Sequence, residues 1–109
     1  NPVVIAHSGG IEVLRYFYHL KTLTNVYFEL SLSLAYLRKT SVFADFVNLV
    51  RFGNKKQIVF GSDYPTVTPR DQYEAFMEIA GTLNLEDAVI RQLLFGNFYD
   101  LFPYKYNKI

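Results

Sequence analysis

The sequence predicts an α/β fold, a parallel βαβαβα unit, from three observations. Short runs rich in β-branched and aromatic residues alternate with longer segments of helical periodicity. The opening run, Val3-Val4-Ile5-Ala6, is continuously apolar, the pattern of a parallel strand covered on both faces. The order strand, helix, strand, helix, strand, helix, helix implies parallel strands joined by right-handed crossovers.

In that order, the first strand runs into His7-Ser8-Gly9-Gly10, and a helix follows with Ile11, Leu14, Phe17 and Tyr18 at helical spacing and Val13 widening the stripe. The second strand is Asn25-Val26-Tyr27-Phe28-Glu29-Leu30, rich in β-formers with one acid near its far end. Between Ser31 and Thr40 the pattern fits either a short helix or a loop over the strand ends. Ser41 reads as an N-cap for a helix that buries Phe43, Phe46, Val47 and Val50, with Arg51 in its last turn and Gly53 just beyond. The third strand, Ile58-Val59-Phe60, then meets Gly61-Ser62-Asp63-Tyr64-Pro65. Thr68-Pro69-Arg70-Asp71 combines a hydroxyl cap, Pro at the first helical position and an acid in the first turn. The helix it opens is expected to bury Tyr73, Phe76, Met77 and Ala80 and to stop at Gly81. Asn84 is expected to cap a last helix with Leu85, Val89, Leu93 and Leu94 inward, broken by Gly96-Asn97 before an aromatic turn from Phe98 to Phe102.

Composition sets the outer limits. The 109 residues make one domain at most, and 50% apolar with 17% aromatic content excludes a disordered segment. Eleven basic against ten acidic side chains give no reason to expect nucleic acid or an anionic membrane as a partner. Without cysteine there is no disulfide, thiolate metal site or Cys nucleophile. No signal peptide is visible and no apolar run approaches the roughly 20 residues that cross a bilayer, so a soluble, cytoplasmic protein is expected. The chain opens on a strand without an initiator Met, as a cut or processed piece would.

Parallel strands point their C-terminal ends one way, and there α/β proteins bind ligands. His7, Glu29, Ser31, Ser62 and Asp63 all belong to that edge. A carboxylate where a buried strand surfaces suits a metal ligand or a base, so Asp63 leads the candidates; the competing reading is a cap for the loop after it. The His7 imidazole suits a metal or a proton-transfer role, or a structural bond within its turn. Glu29 either faces the ligand or pairs with a basic neighbour. The Ser8-Gly9-Gly10 turn either cradles an anion with its amides or is simply tight. His19, late in the first helix, reads as a surface residue. No elbow motif surrounds any serine, which argues against a Ser-His-Asp hydrolase.

The runs Val3-Val4-Ile5-Ala6-His7-Ser8-Gly9-Gly10, Asn25-Val26-Tyr27-Phe28-Glu29-Leu30-Ser31, Ile58-Val59-Phe60-Gly61-Ser62-Asp63-Tyr64-Pro65 and Phe95-Gly96-Asn97-Phe98 resemble, in order, the last three strands and closing helix of the amidohydrolase-related metal-dependent hydrolases. The resemblance implies that residues 1–109 are a partial domain carrying strands six to eight of a (β/α)8 TIM barrel. It implies a divalent metal ion, Zn2+ first among them, and hydrolysis of C–N or C–O bonds, or non-oxidative decarboxylation, of a small-molecule substrate. Asp63 would bind the metal or its water, and His7 would lie beside that water and handle substrate or proton. Gly9, Glu29 and Tyr64 would contact substrate, although relatives more often carry an aspartate or a neutral residue where Glu29 stands. The family's first-strand His-x-His pair and fifth-strand histidine have no counterpart here, and a catalytic zinc ordinarily takes three protein ligands. Alone, the chain is therefore expected to be inactive and either to self-associate or to depend on the missing N-terminal part of the barrel. The alternative is a non-catalytic α/β module that binds an anion at Ser8 to Ile11 or uses its edge for assembly.

Overall fold

Residues 2–31, 33–61 and 68–101 are described by the computed structural model. Three strands, β1 (Val3–Ile5), β2 (Val26–Glu29) and β3 (Ile58–Val59), form one parallel sheet in the order β1-β2-β3. Val3, Val4 and Ile5 stand beside Val26, Tyr27 and Phe28, and Phe28 and Glu29 beside Ile58 and Val59. The register brings the C-terminal ends of β1 and β2 level, with the end of β3 beside that of β2.

β2 is the middle strand, and its Val26 and Phe28 are buried, as are both residues of β3. β1 differs from the expectation of a strand covered on both faces: Val3 and Val4 are 47% and 44% exposed. It is an edge strand, so its apolar run is only half used among the described residues.

A turn at Ala6–Glu12 leads into α1 (Val13–Leu20). In that turn His7, Ser8, Gly9 and Gly10 all have positive φ, between 51° and 85°. These left-handed residues delay the helix until Val13 and change which side faces inward. Val13 and Phe17 are buried, whereas Ile11 and Tyr18, expected inside, are exposed. The Phe17 ring meets Phe28 of β2 edge-on at 5.9 Å, which ties α1 to the sheet.

The ambiguous stretch resolves as a short helix, α2 (Ser33–Tyr36), with Leu34 buried. α3 (Val42–Phe52) follows, and Phe43, Phe46, Leu49 and Val50 form its inner face. Ser41 makes no side-chain cap bond; Thr40 Oγ1 takes that part by accepting from the Val42 amide at 3.2 Å. Gly53 closes α3 through proximity, since a Cβ there would lie 2.5 Å from the Leu49 carbonyl oxygen.

The Thr68 cap is present, accepting from the Asp71 amide at 3.1 Å with Pro69 in the first turn of α4 (Pro69–Leu83). Gln72 is fully buried while Tyr73 is 45% exposed, so the inner face is rotated toward Gln72, Ala75, Phe76 and Ile79. The helix runs through Gly81 and ends at Asn84, which takes the left-handed conformation (φ 53°) that asparagine tolerates better than most residues. Asn84 thus ends one helix rather than capping the next. The final segment is α5 (Asp87–Arg91), a π turn at Gln92–Gly96 and α6 (Asn97–Leu101) without interruption. Gly96-Asn97 does not break it, because the wide turn absorbs the geometry and Asn97 points inward.

Three buried carboxamides fasten the strand ends. Gln57 donates to the carbonyls of Leu23 (2.8 Å) and Val26 (2.5 Å), at the start of β2. Gln72 donates to the Leu30 carbonyl and accepts from the Ala35 amide at 3.1 Å, joining the exit of β2 to α2. Asn97 donates to Ile58 O at 2.7 Å and to Lys55 O, at the start of β3, and accepts from Gln92 at 3.2 Å. No described helix is long and apolar enough to cross a membrane.

Candidate functional site

The C-terminal edge of the sheet gathers His7 with Glu29 and Ser31, one crossover away in sequence. The Glu29 carboxylate is the hub. Its Oε1 accepts from the His7 amide (3.1 Å) and the Ser31 hydroxyl (2.7 Å), and its Oε2 accepts from the Ser31 amide (3.1 Å). These partners are amides and a hydroxyl rather than the basic side chain that one reading of Glu29 anticipated. The strand β3 reaches the same point: a Cβ on Gly61 would sit 2.7 Å from Glu29 Oε2, so only glycine lets the chain pass so close.

His7 is held from both sides. Its Nδ1 lies 3.0 Å from the Ser31 carbonyl oxygen and 3.1 Å from the Ser31 hydroxyl oxygen. Its own carbonyl accepts from Ser33 Oγ at 2.7 Å, and the Ser31 carbonyl oxygen, 3.1 Å from the same Oγ, shares that one proton. Ser33 was hidden in the sequence because it lies in the stretch whose helical character was undecided. Ser8, fully buried, donates its hydroxyl to the Glu29 carbonyl at 2.9 Å.

Positive φ at His7 and Ser8 costs about 1–2 kcal/mol per residue for a side chain of ordinary kind. The bonds to the His7 amide, ring and carbonyl and from the Ser8 hydroxyl oppose that cost. Gly9 is required twice over: its φ is 85°, and a Cβ would lie 2.3 Å from the Tyr16 ring.

Beside this network opens a cleft of about 410 Å³ lined by Ala6, His7, Gly9, Gly10, Ile11, Ser33, Tyr36 and Leu37. Its walls are mostly apolar, with the exposed Ile11 and Tyr36 at its rim and His7 and Ser33 as the polar groups. An imidazole at the edge of an apolar cleft is placed to exchange a proton with a bound molecule. Ser62, Asp63 and Tyr64 lie outside the described residues. Among the described residues, no group of three or more His, Asp or Glu side chains is arranged to hold a metal ion.

One feature disfavours the anion-binding alternative: the residue that leads into α1 is Glu12, whose carboxylate would repel an anion.

Comparison with known families matches residues 1–103 to a family model described as amidohydrolase. No curated protein and no solved structure matches the chain.

Proposed function

Because the chain belongs to the amidohydrolase family, we propose that it forms the C-terminal strands of a (β/α)8 barrel hydrolase and supplies that enzyme's proton-handling edge. The observation that carries this reading is the convergence of His7, Glu29 and Ser31 at the C-terminal ends of parallel strands, beside an apolar cleft. In this proposal the three strands are the sixth to eighth of the barrel. The apolar outer side of β1 is where the barrel's preceding segment would pack.

The reaction is hydrolysis of a C–N or C–O bond, or removal of a carboxyl group without oxidation, from a small molecule lodged against Ile11, Tyr36 and Leu37. His7 receives or returns the proton at the reacting centre. Glu29 and Ser31 hold it there, and Gly9, in the wall of the cleft, meets the molecule with its backbone. A divalent cation, zinc in the first instance, would supply Lewis-acid chemistry. The described residues do not form a ligand set, so no step is derived through the ion. Asp63 would be this chain's ligand, with Tyr64 beside the substrate.

The experiment is an assay of a complete barrel containing this chain for lactone and amide hydrolysis and for CO2 release, with and without a chelator. We expect activity to fall on chelation and in Asp63→Asn, and by about 10²- to 10⁴-fold in His7→Gln. Turnover indifferent to both substitutions would overturn the assignment.

A further inference from the structure

The bonds around His7 fix where its ring proton sits. A carbonyl oxygen only accepts hydrogen bonds, so Nδ1, 3.0 Å from Ser31 O, must be the donor of that contact. The Ser31 hydroxyl has a single proton, and its 2.7 Å approach to Glu29 Oε1 is the length of an O–H donated to a carboxylate. The hydroxyl oxygen therefore offers Nδ1 a lone pair at 3.1 Å, not a proton. Two acceptors face Nδ1. In the neutral ring the proton is on Nδ1, and Nε2 keeps its lone pair. Free histidine prefers the opposite arrangement, with the proton on Nε2.

We propose that Glu29 is a positioning residue that acts through Ser31 to lock His7 in the Nδ1–H tautomer, so that Nε2 is the atom able to take a proton. The carboxylate does this by two means. It orients the Ser31 hydroxyl away from the ring, and it binds the backbone amides of both His7 and Ser31, which holds ring and acceptors in one frame. Gly61 keeps the carboxylate from being displaced only as long as no side chain grows there. A glutamine at position 29 would present one oxygen and one amide group to three donors. Whichever way it turned, a donor would face a donor: its NH2 would meet the Ser31 amide in one orientation, and the His7 amide and the Ser31 hydroxyl in the other.

This inference rests on the functional reading in treating Nε2 as the working atom, but its test needs no turnover. The chain is labelled with 15N-histidine and its ring nitrogens are read by NMR, in solution or in the solid, at a pH where both histidines are neutral. His19, exposed on α1, serves as the reference for an unconstrained ring. We expect His7 Nδ1 to show the shift of a protonated nitrogen and Nε2 that of an unprotonated one, with His19 as a mixture. Glu29→Gln should bring His7 toward the His19 pattern, and Ser31→Ala should do so to a smaller extent, because the backbone carbonyl at position 31 still accepts from Nδ1. Protonated Nε2 in the unaltered protein, or a ring unchanged in both variants, would overturn the proposal. If Glu29→Gln does not fold, the unaltered protein and Ser31→Ala still decide. A complete barrel that is inactive while His7 carries Nδ1–H would defeat the hydrolase reading and leave this one standing.

Discussion

At the level of single residues, the site is held by positions that admit few replacements. Gly9→Ala is expected to destabilise the chain by about 1–3 kcal/mol, because a side chain is strained at positive φ and would also overlap Tyr16. Pairing it with Tyr16→Ala should recover only the part due to overlap, which comparison of urea midpoints for the two variants would show. Asn97→Ala should cost about 1–3 kcal/mol, since it strips the Ile58 and Lys55 carbonyls of a buried donor. A denaturation midpoint equal to that of the unaltered chain would contradict this. His7 and Glu29 were legible as neighbours from sequence, because parallel topology puts strand ends together whatever their separation along the chain. The carboxamides Gln57, Gln72 and Asn97 were not. Each is a polar residue in an apolar setting, and its partners are carbonyls lying 31 to 42 residues away, which no local pattern reveals.

At the level of elements, periodicity found the strands, the inner face of α3 and the start of α4, all of which follow from burial and capping close to the residues concerned. It misplaced the inner face of α1, because four consecutive left-handed residues postpone the helix and nothing in the spacing of apolar residues announces them. It also ended α4 at Gly81, whereas Asn84 ends it. That difference leads to a test. Gly81 lies within the helix, and a Cβ there would meet no neighbouring atom within 4 Å, so Gly81→Ala should stabilise by about 0.5–1 kcal/mol. Calorimetry should then record a melting temperature higher by a few degrees, on the order of 4–8 °C per kcal/mol for a domain of this size. A fall in melting temperature would mean that the glycine serves a purpose other than the helix.

At the level of the whole molecule, the sheet has two edge strands among the described residues, β1 and β3, and they differ in burial. Val26 and Phe28 of β2 and both residues of β3 are buried, while β1 presents Val3 and Val4 to solvent along an edge whose backbone pairs only with β2 among the described residues. Association through that edge is the expected outcome, and Val4→Lys should reduce it by placing a charge on the edge. Light scattering across a concentration series would detect the change, and a protein that stays monomeric at every concentration would remove the expectation. The barrel reading and this edge belong together, since the surface that a neighbouring strand would cover is the surface that favours self-contact.

The Asn97 clamp gives the chain a timetable. The carboxamide that secures the start of β3 lies 39 residues after the Ile58 carbonyl it binds. At translation rates of about 5–20 residues per second, roughly 2–8 s pass between the ribosome's addition of the two. β1, β2 and β3 can pair through their backbones in that interval, but the carbonyls of Lys55 and Ile58 gain their buried donor only when Asn97 is made. A nascent chain arrested before Asn97 would therefore carry the sheet without the clamp on its third strand.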